Sequence, residues 1–117
     1  MMLKMMYGKI HRATATHCDI HYNGSLGIDL VLIDASGLLP GQQIDVLNVA
    51  NCERFTTYII PEAPGSKKIG VYGAAAHKVT PGDRLIIIAY AIMDEKEARS
   101  FRPKVLTLDE KNEVVNG

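Results

Sequence analysis

The sequence predicts a mainly β domain of about six strands and two or three short helices, closed into a barrel. Short β-rich runs recur along the chain, each followed by Gly, Pro, Asn or Asp. Helical signals are few and brief. Strands this short leave edges open to other chains, and closure into a barrel removes those edges.

The first strand spans Met5 to Thr16, where basic and polar residues surround Tyr7, Ile10 and Ala13 and suit a strand with one wet face. Asp29 is placed to cap a helix from Leu30 to Ser36, with Gly37 as its left-handed stop. Gln43 to Val49 and Arg54 to Ile60 are separated by Ala50-Asn51-Cys52-Glu53 and read as a hairpin. Ile69 to Tyr72 is a brief fourth strand, and Gly73 to Lys78 suits one turn of helix. After the turn Pro81-Gly82-Asp83, Arg84 to Ile92 is almost continuously apolar, which predicts a strand buried on both faces. Asp94 with Glu97 forms a capping-box pattern for a helix from Glu95 to Ser100. Lys104 to Leu108 is the sixth strand, and the polar tail from Asp109 to Gly117 is expected to fray.

With 117 residues and 47% apolar content, the chain forms one domain that buries roughly two-thirds of its unfolded surface. Thirteen basic residues balance thirteen acidic ones, so the positive excess that nucleic-acid binding requires is missing. No apolar run approaches the ~20 residues of a membrane span, and the Met-rich start meets Lys4 and Lys9 without a secretory core. The expectation is a soluble cytoplasmic protein that binds neither nucleic acid nor membrane. Cys18 and Cys52 belong to no CxxC pair and are expected to be free structural thiols.

The most unusual segment is His21-Tyr22-Asn23-Gly24-Ser25-Leu26-Gly27-Ile28-Asp29. Asn-Gly is the commonest pair in a type I′ turn joining two strands. Asn23-Gly24-Ser25 also fits a glycosylation acceptor, which matters only in a secreted protein. A third reading is chemical. A serine hydroxyl directly after glycine can attack the preceding carbonyl where the turn holds them together, turning the amide into an ester. β-Elimination then cuts the chain and leaves dehydroalanine, which hydrolyses with loss of ammonia to a pyruvoyl group. Such a ketone forms a Schiff base with an amine and acts as an electron sink for decarboxylation.

Arg54-Phe55-Thr56-Thr57-Tyr58 is a second constellation. Alternation puts Arg54, Thr56 and Tyr58 on one face and Phe55, Thr57 and Ile59 on the other. Arg54 offers a planar fork for a carboxylate and Tyr58 a phenol that can donate a proton, although a solvated strand face accounts for both as well. In Gly73-Ala74-Ala75-Ala76-His77, small side chains allow a ligand to approach backbone amides, and a tight strand-to-helix turn explains the same residues. Lys9 and His11 share a strand face and can add positive potential to an anion pocket. His17, Asp19 and His21 alternate as a nitrogen and oxygen ligand set would, but neither HExxH nor paired cysteines accompany them, so no metal is expected.

Together these segments resemble the pyruvoyl-dependent aspartate 1-decarboxylase family. The resemblance runs from the first strand to about Pro103. It is carried by Gly8-Lys9-Ile10-His11-Arg12, by His17 to His21 leading into Tyr22-Asn23-Gly24-Ser25, by Ile28-Asp29, by Asn48-Val49 through Arg54-Phe55-Thr56-Thr57-Tyr58, and by Gly73-Ala74-Ala75-Ala76-His77. It implies a six-stranded double-psi β-barrel that decarboxylates L-aspartate to β-alanine for pantothenate synthesis. It also implies a homotetramer with active sites between subunits. Self-cleavage between Gly24 and Ser25 would give a β chain, 1–24, and an α chain, 25–117, whose first residue is a pyruvoyl group derived from Ser25.

By the same resemblance, Tyr58 is the proton donor, Thr57 assists cleavage and contacts substrate, and Gly73, Ala74 and Ala75 cradle substrate. Arg54, helped by Lys9, binds a substrate carboxylate. The resemblance allows for spontaneous cleavage and for a maturation factor as a further partner. Tyr72 departs from the Asn usual in the family, which implies an altered maturation rate rather than lost activity, and Cys52 replaces a usual Gly in its loop. The competing readings are a non-catalytic β-barrel binding module with an intact chain and a His-rich metal enzyme. The joint presence of Gly24-Ser25, Thr57, Tyr58 and Arg54 favours the lyase.

Overall fold

The computed structural model describes residues 1–116. Along the chain run β1 (Met2–Thr14), β2 (His17–Asp19), β3 (Ser25–Asp29), α1 (Leu30–Ser36), β4 (Gln43–Asn48) and β5 (Arg54–Glu62). There follow β6 (Ile69–Tyr72), a 3-10 helix (Gly73–Lys78), β7 (Arg84–Asp94), α2 (Glu95–Ser100), β8 (Lys104–Leu108) and β9 (Val114–Asn116). The strands form one sheet in the order β2-β6-β3-β5-β4-β7-β1-β8-β9.

Only Ala15 and Thr16 separate β1 from β2, so chain continuity joins one end of this ladder to its seventh member. The Ala15 amide donates to the Asp83 carbonyl (2.9 Å), the Gly82 amide to the Ala15 carbonyl (2.8 Å) and the Thr16 amide to the Ile69 carbonyl (2.8 Å), bonding the seam. The result is a mainly β barrel of six staves: β1 running on into β2, then β6, β3, β5, β4 and β7. Its interior is filled by residues such as Ile10, Leu26, Ile28, Ile59, Leu85 and Ile87, all fully buried. Each contributes about 2 kcal/mol by leaving water.

The number six matches the sequence expectation, but the membership differs. β3 takes the place expected of β8, which forms over Lys104–Leu108 as predicted yet lies outside the ring, parallel to β1. β3 escaped pattern reading because its five residues, SLGID, are all buried and show no alternation. Asn23-Gly24 is not a type I′ hairpin turn: β2 and β3 both pair with β6 rather than with each other, and neither residue has a positive φ. β7 is not buried on both faces either. Leu85, Ile87 and Ala89 point inward, while Ile86, Ile88 and Tyr90 are partly exposed and Ile92 is 70% exposed on the outer side. The tail is more ordered than expected, for β9 pairs with β8, and Asn112 is buried with its side chain bonded to Thr14 and Lys67. Gly117 lies outside the described residues.

The helix signals hold. The Val31 amide donates to Asp29 Oδ1 and Gly37 adopts φ 78° at the end of α1, while the Glu97 amide donates to the Asp94 side chain at the start of α2. The helical turn over Gly73–Lys78 is 3-10. Asn48 Nδ2 (2.9 Å) and Asn51 Nδ2 (2.9 Å) both donate to the Lys78 carbonyl, so the β4–β5 turn anchors the far end of that helix. Cys52 in the same turn has φ 64°, a left-handed conformation that favours glycine, so a side chain is tolerated there at some strain.

Candidate active site

β3 and β5 pair in parallel, with Leu26 opposite Ile59 and Gly27 opposite Ile60. Ser25 and Tyr58 immediately precede the first pair of this ladder, one on each strand. β4 covers the other edge of β5 from Arg54 to Tyr58. An open cleft of about 480 Å³ occupies the free edge, lined by Gly24, Thr57, Tyr58, Ala74, Ala75 and Lys78 among others. Five of the residues singled out from sequence therefore share one cleft.

Ser25 follows Gly24 and is buried, 1% exposed, with its hydroxyl donating to the Asn23 carbonyl (2.9 Å). A serine oxygen held within its own turn has short reach to the Gly24 carbonyl. Gly73, at φ 77°, backs this turn: a Cβ there would lie 2.6 Å from Gly24 Cα and 2.8 Å from Gly24 N. Glycine is thus required at 73 by both dihedral and space. Around Gly24 itself a Cβ would meet nothing within 4 Å, leaving room for a small substrate.

Along β5 the expected alternation holds. Arg54, Thr56 and Tyr58 are exposed, and Phe55, Thr57 and Ile59 are more buried. Tyr58 is 42% exposed. Arg54 is not in the cleft: its Nη2 lies 3.7 Å from Asp45 Oδ2, and it borders a neighbouring groove with Leu47, Cys52 and Ile86. Lys9 is farther still. The register aligns Lys9 with Ile88, Ile88 with Asp45 and Asp45 with Thr56, so three strand spacings, roughly 14 Å, separate Lys9 from β5. One chain therefore does not bring Lys9 to the other site residues.

His11 does not add positive charge beside Lys9 as expected. Burial first, then the charges of Lys9, Arg12 and Arg84, hold its pKa below the ordinary value, and its Nδ1 is buried without a hydrogen-bond partner. Sequence reasoning also missed Lys78, whose Nζ donates to Glu53 Oε1 (2.8 Å) at the rim, and Glu62, which no motif marks.

Tyr72, opposite Ser25 in the β3/β6 ladder, is 7% exposed. Its hydroxyl donates to Glu62 Oε2, and His17 Nε2 lies 2.6 Å from the Tyr72 hydroxyl oxygen. Burial, then the hydrogen bond to and charge of Glu62, push the phenol pKa well above its ordinary range, so it remains a donor. The Tyr22 ring packs on it with centroids 4.9 Å apart.

His17, Asp19 and His21 do not converge. His17 is engaged with Tyr72 and Thr16, and Asp19 Oδ1 accepts from the His21 amide (2.9 Å). Among the described residues no three His, Cys, Asp or Glu are grouped to hold a metal ion, and no helix is long and apolar enough to cross a membrane. Cys18 and Cys52 are free. Cys18 Sγ donates to the Val79 carbonyl (3.3 Å), and burial raises the pKa of its thiol.

The family model described as aspartate decarboxylase matches residues 1–115. The chain is 52% identical over 112 residues to the aspartate 1-decarboxylase of Caulobacter vibrioides, covering 96% of this chain and 95% of that protein. It is 49% identical over 114 residues to that of Phenylobacterium zucineum, covering 97% of each. With that of Carboxydothermus hydrogenoformans it shares 51% over 115 residues, 98% of this chain and 91% of the relative. The match spans nearly the whole barrel and the cleft built at the β3/β5 edge: the chain belongs to the aspartate decarboxylase family.

Proposed function

We propose that this chain converts L-aspartate to β-alanine and carbon dioxide, supplying pantothenate synthesis, after cutting its own Gly24–Ser25 bond. The reading is carried by the cleft that Gly24 lines together with Thr57, Tyr58, Ala74 and Ala75, just ahead of the first β3/β5 pair. In the cleavage Ser25 Oγ adds to the Gly24 carbonyl carbon and the Ser25 nitrogen is released, giving an ester. Loss of the Ser25 α-proton expels Gly24 as a carboxylate and leaves dehydroalanine. Water then replaces the nitrogen, ammonia departs, and the pyruvoyl group heads the chain 25–117, with 1–24 as the second fragment.

Residue 25 suits such a group because it is buried, pinned by β6 and followed by a strand whose pairing survives the cut. The group supplies a ketone that condenses with the substrate amine and draws electrons from the bond that breaks. The chain's own residues do the rest. The Thr57 hydroxyl, in the cleft that Gly24 also lines, polarises the scissile carbonyl and later contacts substrate. The backbone of Gly73, Ala74 and Ala75 cradles the substrate, small side chains allowing close approach. Tyr58 Oη delivers the proton to the substrate carbon that has lost carbon dioxide. Arg54, turned from its contact with Asp45 toward the cleft, and Lys9 of a neighbouring copy hold the spared carboxylate by charge-assisted bonds.

The distance of Lys9 from the cleft supports a site completed by another copy, as does the exposed apolar side of β7. The assembly is a homotetramer of four α and four β chains in the cytoplasm, matured alone or with an accessory factor. An intact mass spectrum of the denatured protein tests the cofactor. Two fragments divided at Gly24–Ser25 are expected, the larger lighter by one ammonia than a serine-started peptide. A chain that stays whole after heating and after exposure to cell extract would overturn the reading.

A further inference from the structure

The Tyr72 hydroxyl is hydrogen-bonded on both sides, to the side chains of Glu62 and His17. The Tyr72 hydroxyl has one proton, which goes to the Glu62 carboxylate, so His17 Nε2 is the donor to the phenol oxygen. His17 Nδ1 faces Thr16 Oγ1 at 3.0 Å, and His17 Nε2 lies 3.8 Å from Glu62 Oε2. Every partner on the phenol is thereby fixed.

Two glycines make room for the set. A Cβ on Gly70 would collide with the Tyr72 hydroxyl and lie 2.7 Å from His17 Nε2, and one on Gly27 would collide with Glu62 and lie 2.9 Å from Tyr72 Cε2. The ring therefore lies over the bare backbone of β3 and β6. From there it packs on Tyr22, while the next residue, Gly73, contacts Gly24. The segment Tyr22 to Gly24 thus rests on consecutive residues, the ring of 72 and the backbone of 73.

Resting on the proposed self-cleavage, we infer that Glu62 is a positioning residue for that step: it pins the Tyr72 ring, which seats Tyr22 and aims the Gly24 carbonyl toward the Ser25 hydroxyl. Glu62 touches neither the scissile bond nor substrate. Its effect is on the rate of chain cleavage.

The test is a cleavage time course by intact mass, well below the melting temperature, on freshly made wild type, Glu62→Ala, Glu62→Gln, Tyr72→Phe and the double variant Glu62→Ala with Tyr72→Phe. Glu62→Ala and Tyr72→Phe should each slow cleavage about tenfold, the scale of one lost hydrogen bond to a carboxylate. The double variant should be no slower than Tyr72→Phe alone, because that variant already lacks the bond to Glu62. Glu62→Gln, which keeps an acceptor oxygen, should cleave within about twofold of wild type, by the smaller loss on exchanging a charged for a neutral acceptor. Should Glu62→Ala fail to fold, Tyr72→Phe breaks the same bond from the other side. Wild-type cleavage rates in both single variants would overturn the inference, even with a lowered melting temperature, as would effects that multiply in the double variant. An uncut wild type would remove the proposed cleavage as well.

Discussion

Gly73 packs so closely on Gly24 that a Cβ at residue 73 would lie 2.6 Å from the Gly24 Cα. Its φ of 77° adds a conformational demand at the same place. Gly73→Ala should therefore destabilise the barrel by about 1–3 kcal/mol and displace the cleavage turn. Thermal unfolding and a cleavage time course check the two effects, and a stable variant that cleaves at the wild-type rate would show that the turn yields without loss.

Ser25→Ala should remain a single chain of full mass and have no decarboxylase activity. The hydroxyl's hydrogen bond stays within its own turn, to Asn23, so the fold should survive its loss. Intact mass together with an unchanged far-ultraviolet spectrum separates this outcome from misfolding. A processed and active Ser25→Ala protein would place the cofactor elsewhere.

Tyr58→Phe should cleave normally yet turn over at least about a hundredfold more slowly, the usual scale for losing a general acid. Its side chain is on the exposed face of β5, while Thr57, which lines the cleft with Gly24, is untouched. The loss should fall on kcat with KM little changed, since the phenol acts on the product-forming step. Full turnover would assign the proton to another donor.

Much of this arrangement was legible in the sequence because it depends on local rules. Asp29 and Gly37 bracket α1, Asp94 starts α2, and the alternation of Arg54 to Ile59 sorts Thr57 from Tyr58. What was hidden depends on long-range pairing. β3 is five residues with no polar face, so nothing local distinguishes it from a loop, yet its parallel pairing with β5 begins just after Gly24, which lines the cleft with Thr57 and Tyr58. Glu62 gains meaning only through β6, which brings Tyr72 to it, and through the absent side chains of Gly27 and Gly70. β7 looked buried throughout because its outer residues are as apolar as its inner ones, a pattern that an exposed face rarely shows unless another surface covers it.

Asp29 gives a pH prediction with a definite sign. The fully buried carboxylate accepts from the amides of Val31 (2.9 Å) and Gly65 (2.9 Å) at Oδ1 and from that of Lys67 (2.8 Å) at Oδ2, tying β3 and α1 to the loop before β6. Burial alone raises its pKa, but the three amides and the Lys67 charge outweigh burial and hold it below the ordinary aspartate value of 3.8. A folded-state pKa below the unfolded one stabilises the protein above the unfolded value, and that share is lost as pH falls through the folded value. Wild type should therefore lose stability below about pH 4. Asp29→Asn, which lacks the charge and exchanges an acceptor oxygen for a donor, should be less stable at pH 7 by about 2 kcal/mol. Asp109, held low mainly by the Glu113 and Lys111 amides, titrates in the same direction in both proteins and cancels in the difference. Denaturant unfolding from pH 7 to pH 3 should accordingly show the gap between wild type and variant narrowing only at the acid end. A gap that stays constant across the range would mean that the Asp29 charge contributes nothing beyond its shape.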